Sequence, residues 1–134
     1  MSHTVPPSRM KEVRLNRTGR ITAQVEVAAA ALPDSASVAA IAYCEVGAKV
    51  PAIVVVTDKK VLVADKRSVR WSAPLYGLRS ELREVFGLRL ISPSGPDQQV
   101  RLQGRGKLAA VIEERARLSD RAPVGFGATV QFVR

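Results

Sequence analysis

The stretch Val54–Trp71, "VVVTDKKVLVADKRSVRW", contains two short apolar runs, each closed by a charged turn. Residues 52–57, "AIVVVT", are rich in β-branched side chains with no helical period, so they read as a strand. "DKK" then makes a tight turn, "VLVA" returns, and "DKR" makes a second turn. "SVRWS" alternates, which predicts Val69 and Trp71 on one face and Arg70 on the other. The pattern is an antiparallel meander, and Lys-rich turns keep such insoluble strands hydrated without any ligand.

Upstream, "VAAIAYCEV" (38–46) reads as a further strand. Residues 19–32 place Ile21, Val25, Ala28, Ala29 and Leu32 on one helical face, with Thr18 as a candidate N-cap. Pro33 ends that helix, because the residue before a proline is pushed out of the α region. Residues 1–17 form a polar arm with Pro6 and Pro7, and Arg9, Lys11, Arg14 and Arg17 recur along it.

Downstream, residues 74–87 are open between helix and strand. Leu75, Leu78, Leu82 and Val85 keep helical spacing, while Gly77 and Gly87 limit the span. "LRLIS" is a strand, "PSGPD" a turn, and "QQVRLQ" a strand with Val100 and Leu102 facing in. In "KLAAVIEERARL" Leu108, Val111, Ile112 and Leu118 share one helical face, and Glu113, Glu114 and Arg117 lie largely on the other. Residues 121–134 form a tail in which Phe126, Val130 and Phe132 alternate to one side. A strand there needs an edge to pair with, in this molecule or another.

The segment around Thr57, Asp58, Lys59, Lys60, Val61 and Leu62 resembles a signature of the bacterial pleckstrin-homology-like (PH-like) domains. "PLYGLRSEL" is similar to the family's lead into its later strands, "LRLISPSGPDQQVRLQ" to its late hairpin, and "KLAAVIEERARL" to its capping helix. The resemblance covers about residues 38–118. It implies an α+β fold: a strongly bent antiparallel sheet, or small barrel, of about seven strands, capped by a C-terminal helix. The helix at 19–32 is an N-terminal addition, and residues 18–120 make one domain. The resemblance also implies a scaffold for assembly, with self-association among its uses.

At 134 residues and 46% hydrophobic, the chain is long enough for one cored domain. Aromatics are 4%, so Val, Leu, Ile and Ala must build the core. The single Cys44 excludes an internal disulfide and fits a reducing compartment. The N-terminus lacks the apolar run of a signal peptide, and these features together predict a cytoplasmic protein.

Catalysis is not expected. His3 is the only histidine and lies in the arm, so neither a metal cluster nor a Ser–His–Asp arrangement can be assembled. Cys44 in a strand reads as a small buried hydrophobe. "GRGKL" lacks the spacing and the Ser or Thr of a phosphate loop. No cofactor and no metal are expected.

The net charge of +9 favours anionic partners. Lys66, Arg67 and Arg70 are the candidate contacts for an anionic headgroup or acidic partner, and Phe126, Val130 and Phe132 for an oligomer interface. The expected function is a non-catalytic binding or scaffolding module acting through protein contacts, with an anionic lipid surface as a further candidate partner. The alternative is a weak, sequence-blind nucleic-acid-binding accessory protein, ranked lower because no base-stacking platform is visible.

Overall fold

A computed structural model describes residues 4–12 and 21–121. Its elements are a kinked 3-10 stretch Pro7–Glu12, helix α1 (Thr22–Ala30), strands β1 (Val38–Val46), β2 (Val50–Thr57), β3 (Lys60–Ala64), β4 (Val69–Pro74), β5 (Arg79–Arg83), β6 (Gly87–Ile91) and β7 (Gln98–Arg101), and helix α2 (Arg105–Arg121). The seven strands form one antiparallel sheet in the order β4-β3-β2-β1-β7-β6-β5. The fold is thus α+β, with one α-helix before the strands and one after them.

The sheet curls without closing. From β4 to β7 is four strand spacings, roughly 19 Å in a flat sheet. Yet the Trp71 indole N–H on β4 donates to the Pro96 carbonyl in the β6–β7 turn at 2.8 Å, so the two halves fold over one another. The bend lies at the seam between β1 and β7, which pair only through Glu45 and Arg101. Among the described residues nothing pairs with the outer edges of β4 and β5. The expected small barrel is therefore an open, curled sheet.

The unbroken apolar character of β2 follows from burial on both faces. Ala52, Val54 and Val56 point into an inner core with Ala42 and Cys44 of β1, Val61 and Val63 of β3, Leu88, Leu90 and Val100. Helix α2 covers that core with Leu108, Ile112 and Ala116. Ile53 and Val55 point the other way, joining Ile41, Leu62 and Ala64 under a lid of Met10, Ile21, Ala28 and Leu32.

The predicted apolar face of α1 is thereby accounted for: Ile21, Ala28 and Leu32 are buried, and Val25 and Ala29 pack beside them. Its N-cap position is Ile21, with no side-chain cap, and Thr18 lies outside the described residues. The beginning of the segment read as an arm contributes to this lid. Val5 bridges Val38, donating to and accepting from its backbone at 2.9 and 2.6 Å, and Met10 is buried.

One open reading is decided and two expectations change. The segment 74–87 resolves as a loop followed by strand β5, so Leu75 and Leu78 are buried while Leu82 and Val85 are exposed. Val69 and Trp71 do not share a face. The β3–β4 register steps from Val63↔Trp71 to Ala64↔Val69, leaving Arg70 as the extra residue of a bulge. Trp71 consequently joins the inner core while Val69 packs on the outer one. Finally, Leu118 is 45% exposed and does not plug the core; Ala116 occupies that level of α2 instead.

Candidate functional site

Both turns of the opening stretch are built by their own polar residues. At the first, the Thr57 hydroxyl accepts from the Lys59 and Lys60 backbone N–H groups at 3.1 and 3.0 Å and donates to the Lys60 carbonyl. Asp58 is tied to the chain ahead of β1, accepting from the Ser37 N–H at 3.1 Å. At the second, Asp65 Oδ1 accepts from the Arg67 and Ser68 N–H groups at 2.7 and 2.8 Å. Asp65 Oδ2 takes the Arg70 guanidinium at 2.9 Å. The two backbone donors, ahead of Arg70, hold the Asp65 carboxyl below its ordinary value.

Lys66, Arg67 and Arg70 do come together. They line a cleft of about 300 Å³ with Gln24 of α1 and Val50 and Pro51 of β2. All three cations are exposed, and Arg70 is the one paired with Asp65. In an antiparallel meander the β1–β2 and β3–β4 turns fall at the same end of the sheet, so Lys49 stands at this end too, while Lys59 and Lys60 stand at the other.

A second cleft, of about 440 Å³, opens beside the β1–β7 seam. Tyr43, Leu102, Val85 and Phe86 supply its apolar wall, and Glu45, Lys49, Arg101 and Gln103 its polar rim. Arg101 approaches Glu45 at 3.5 Å. Val85 and Phe86 come from the β5–β6 turn and are 71% and 56% exposed. Both have positive φ, 55° and 58°. Sequence reasoning missed this feature because Val85 fitted a helical spacing. The available signal was "EVFG", where a glycine follows the apolar pair; a Cβ at Gly87 would lie 3.0 Å from the Glu84 carbonyl.

The third feature is the edge of β5. Arg79, Glu81, Leu82 and Arg83 are exposed there. Glu81 and Arg83 form a loose surface pair at 3.5 Å, and Leu82 is 58% exposed although it pairs with buried Leu88. Helix α2 runs antiparallel to β5. The Arg105 guanidinium reaches the Arg83 and Gly87 carbonyls at one end, and Glu113, Ala116 and Arg117 flank Leu78, Arg79 and Ser80 at the other.

Cys44 is fully buried in the inner core, and desolvation, with the nearby Glu45 charge, pushes its thiol up to about 12. It is a packing residue rather than a nucleophile. No group of metal-ligating side chains occurs among the described residues, and none of the described helices is long and apolar enough to cross a membrane. His3, Phe126, Val130 and Phe132 lie outside the described residues. Compared with known proteins, the chain matches no family model, and no curated protein has significant similarity to it.

Proposed function

We propose that the chain is a non-catalytic binding and scaffolding module of PH-like type that works through protein–protein contacts. The strand order β4-β3-β2-β1-β7-β6-β5, with α2 laid over the inner face, supports the PH-like reading, since it fits the bent sheet and capping helix that the resemblance implies. The observation that carries the functional reading is the outer edge of β5, with which no other described strand pairs. It presents backbone donors and acceptors to solvent, and an incoming strand can satisfy them.

The last turns of α2 lie beside the first residues of β5, and residues 122–134 follow α2 in the sequence. Their alternating Phe126, Val130 and Phe132 are the chain's own candidate for the added strand, in a neighbouring copy. The gathering of Lys49, Lys66, Arg67 and Arg70 at one end of the sheet favours a compact acidic partner over a nucleic-acid stripe.

Light scattering behind a sizing column tests the reading on the intact chain and on the double substitution Val130→Asp, Phe132→Asp. A dimer or larger species that becomes monomeric on substitution is the expected result. A monomer in both, or a mass unaffected by the substitution, would remove the tail from the function.

A further inference from the structure

The β5–β6 turn is chemically at odds with its own backbone. Arg83 pairs with Gly87, and the Gly87 N–H donates to the Glu84 carbonyl at 3.1 Å, which leaves Val85 and Phe86 as the two central residues. With φ of 55° and 58° both occupy the left-handed region, where hairpin turns favour Asn-Gly and a β-branched side chain is an outlier. Neither residue serves the core, since both are more than half exposed.

The turn is nevertheless held firmly from behind. The Leu102 N–H donates to the Phe86 carbonyl at 3.0 Å, and the Arg105 guanidinium donates to the carbonyls of Arg83 and Gly87. Two apolar side chains are thus fixed in water, at a cost to the turn and with no return to the core. Strain of this kind is retained where something outside the fold uses it.

The surroundings say what that is. Lys49 and Arg101 line the cleft beside the tip, and Lys49 forms no ion pair among the described residues. The first turn of α2, at the same end, carries Arg105 and Lys107 and no acidic residue. Glu45 and Glu84 are the opposing charges nearby. A stable protein interface buries on the order of 1,000 Å² or more, which two side chains on a narrow turn cannot supply. A bilayer accepts a narrow apolar tip and rewards a cationic surround when its lipids are anionic.

We infer that Val85 and Phe86 form a membrane-contacting tip that enters the headgroup–acyl boundary of an anionic bilayer, with Lys49 and Arg101 beside the lipid phosphates. The inference rests on the reading of the domain as a binding module, but it uses a different surface from the free edge of β5.

The test uses the full chain and the substitution Val85→Asn with Phe86→Gly, which installs the residues the turn prefers. Its thermal midpoint should rise, so a loss of binding cannot be put down to unfolding. Cosedimentation with mixed phosphatidylcholine–phosphatidylglycerol vesicles should fall by roughly tenfold or more. Lys49→Ala should weaken binding and flatten its dependence on salt, and pure phosphatidylcholine should bind the wild type poorly. Equal binding by wild type and the Asn-Gly variant, or no binding of the wild type to the anionic vesicles, would overturn the tip. So would a change in solution mass on substitution without a change in vesicle binding, which would make the tip a contact between copies. Vesicle binding and the mass of the tail variant are separate readouts, so either proposal can fail alone.

Discussion

At the residue scale, the charges that dominate the opening stretch divide into turn builders and solvated cations. Asp65 belongs to the first kind. Its carboxylate satisfies two backbone donors and then Arg70, and Asp65→Ala should cost about 1–2 kcal/mol, in line with the loss of a helix cap. Because the folded carboxyl titrates below its ordinary 3.8, the turn contributes its full stabilisation above that pH. The contribution is lost as the pH falls through the lower folded value. Asp65→Asn keeps an acceptor oxygen but removes the titration. Urea melts at neutral and strongly acidic pH should therefore show a smaller pH-linked loss in Asp65→Asn than in the wild type; parallel losses would mean that other carboxylates carry the acid sensitivity. The two charged turns were legible in the sequence. Which side chain builds each was not: Thr57 closes the first while Asp58 reaches Ser37, and the capture of Arg70 by Asp65 accompanies a register step with no local signature.

At the scale of elements, the strands from Val38 to Pro74 were readable because β-branched runs and charged turns agree with one another. What was left open or misread shares one cause, which is that periodicity cannot reveal what covers a face. Leu75, Leu78, Leu82 and Val85 fit a helix by spacing, but the chain breaks after Leu78 into an edge strand, where half of that set reaches solvent. Likewise Leu118 sits roughly 200° round α2 from Ala116, off the Leu108, Ile112 and Ala116 face that the sheet covers. Ile112 and Leu118 should therefore respond differently. Ile112→Ala, at a fully buried position, should cost about 2–5 kcal/mol, whereas Leu118→Ala should stay within about 0.5 kcal/mol. Chemical denaturation of the two variants decides it. Equal losses would mean that the C-terminal end of α2 is covered after all.

At the scale of the whole molecule, one sheet serves two cores, and they are unequal. The inner core draws on both halves of the curled sheet and on α2, while the outer core draws on β1–β3 and the N-terminal lid. Among the described residues the outer face of β5–β7 has no such lid; Arg89 there pairs with Asp97 in the β6–β7 turn. The β5 edge and the Val85–Phe86 turn therefore belong to the half of the molecule that α1 leaves open, whereas the Lys66–Arg67–Arg70 cleft lies beside α1. An α1 detached from β1–β3 should leave a folded but sticky domain, because the inner core does not depend on it. Ala28 is fully buried on the sheet-facing side of α1, and Ala28→Glu should cost roughly 2–4 kcal/mol by forcing a charge into the outer core. A cooperative melt should persist at a lower midpoint, with new binding of a hydrophobic dye to the bared Ile41, Ile53 and Val55. If the melt disappears instead, the two cores are one cooperative unit, and the N-terminal helix is as necessary to the fold as α2.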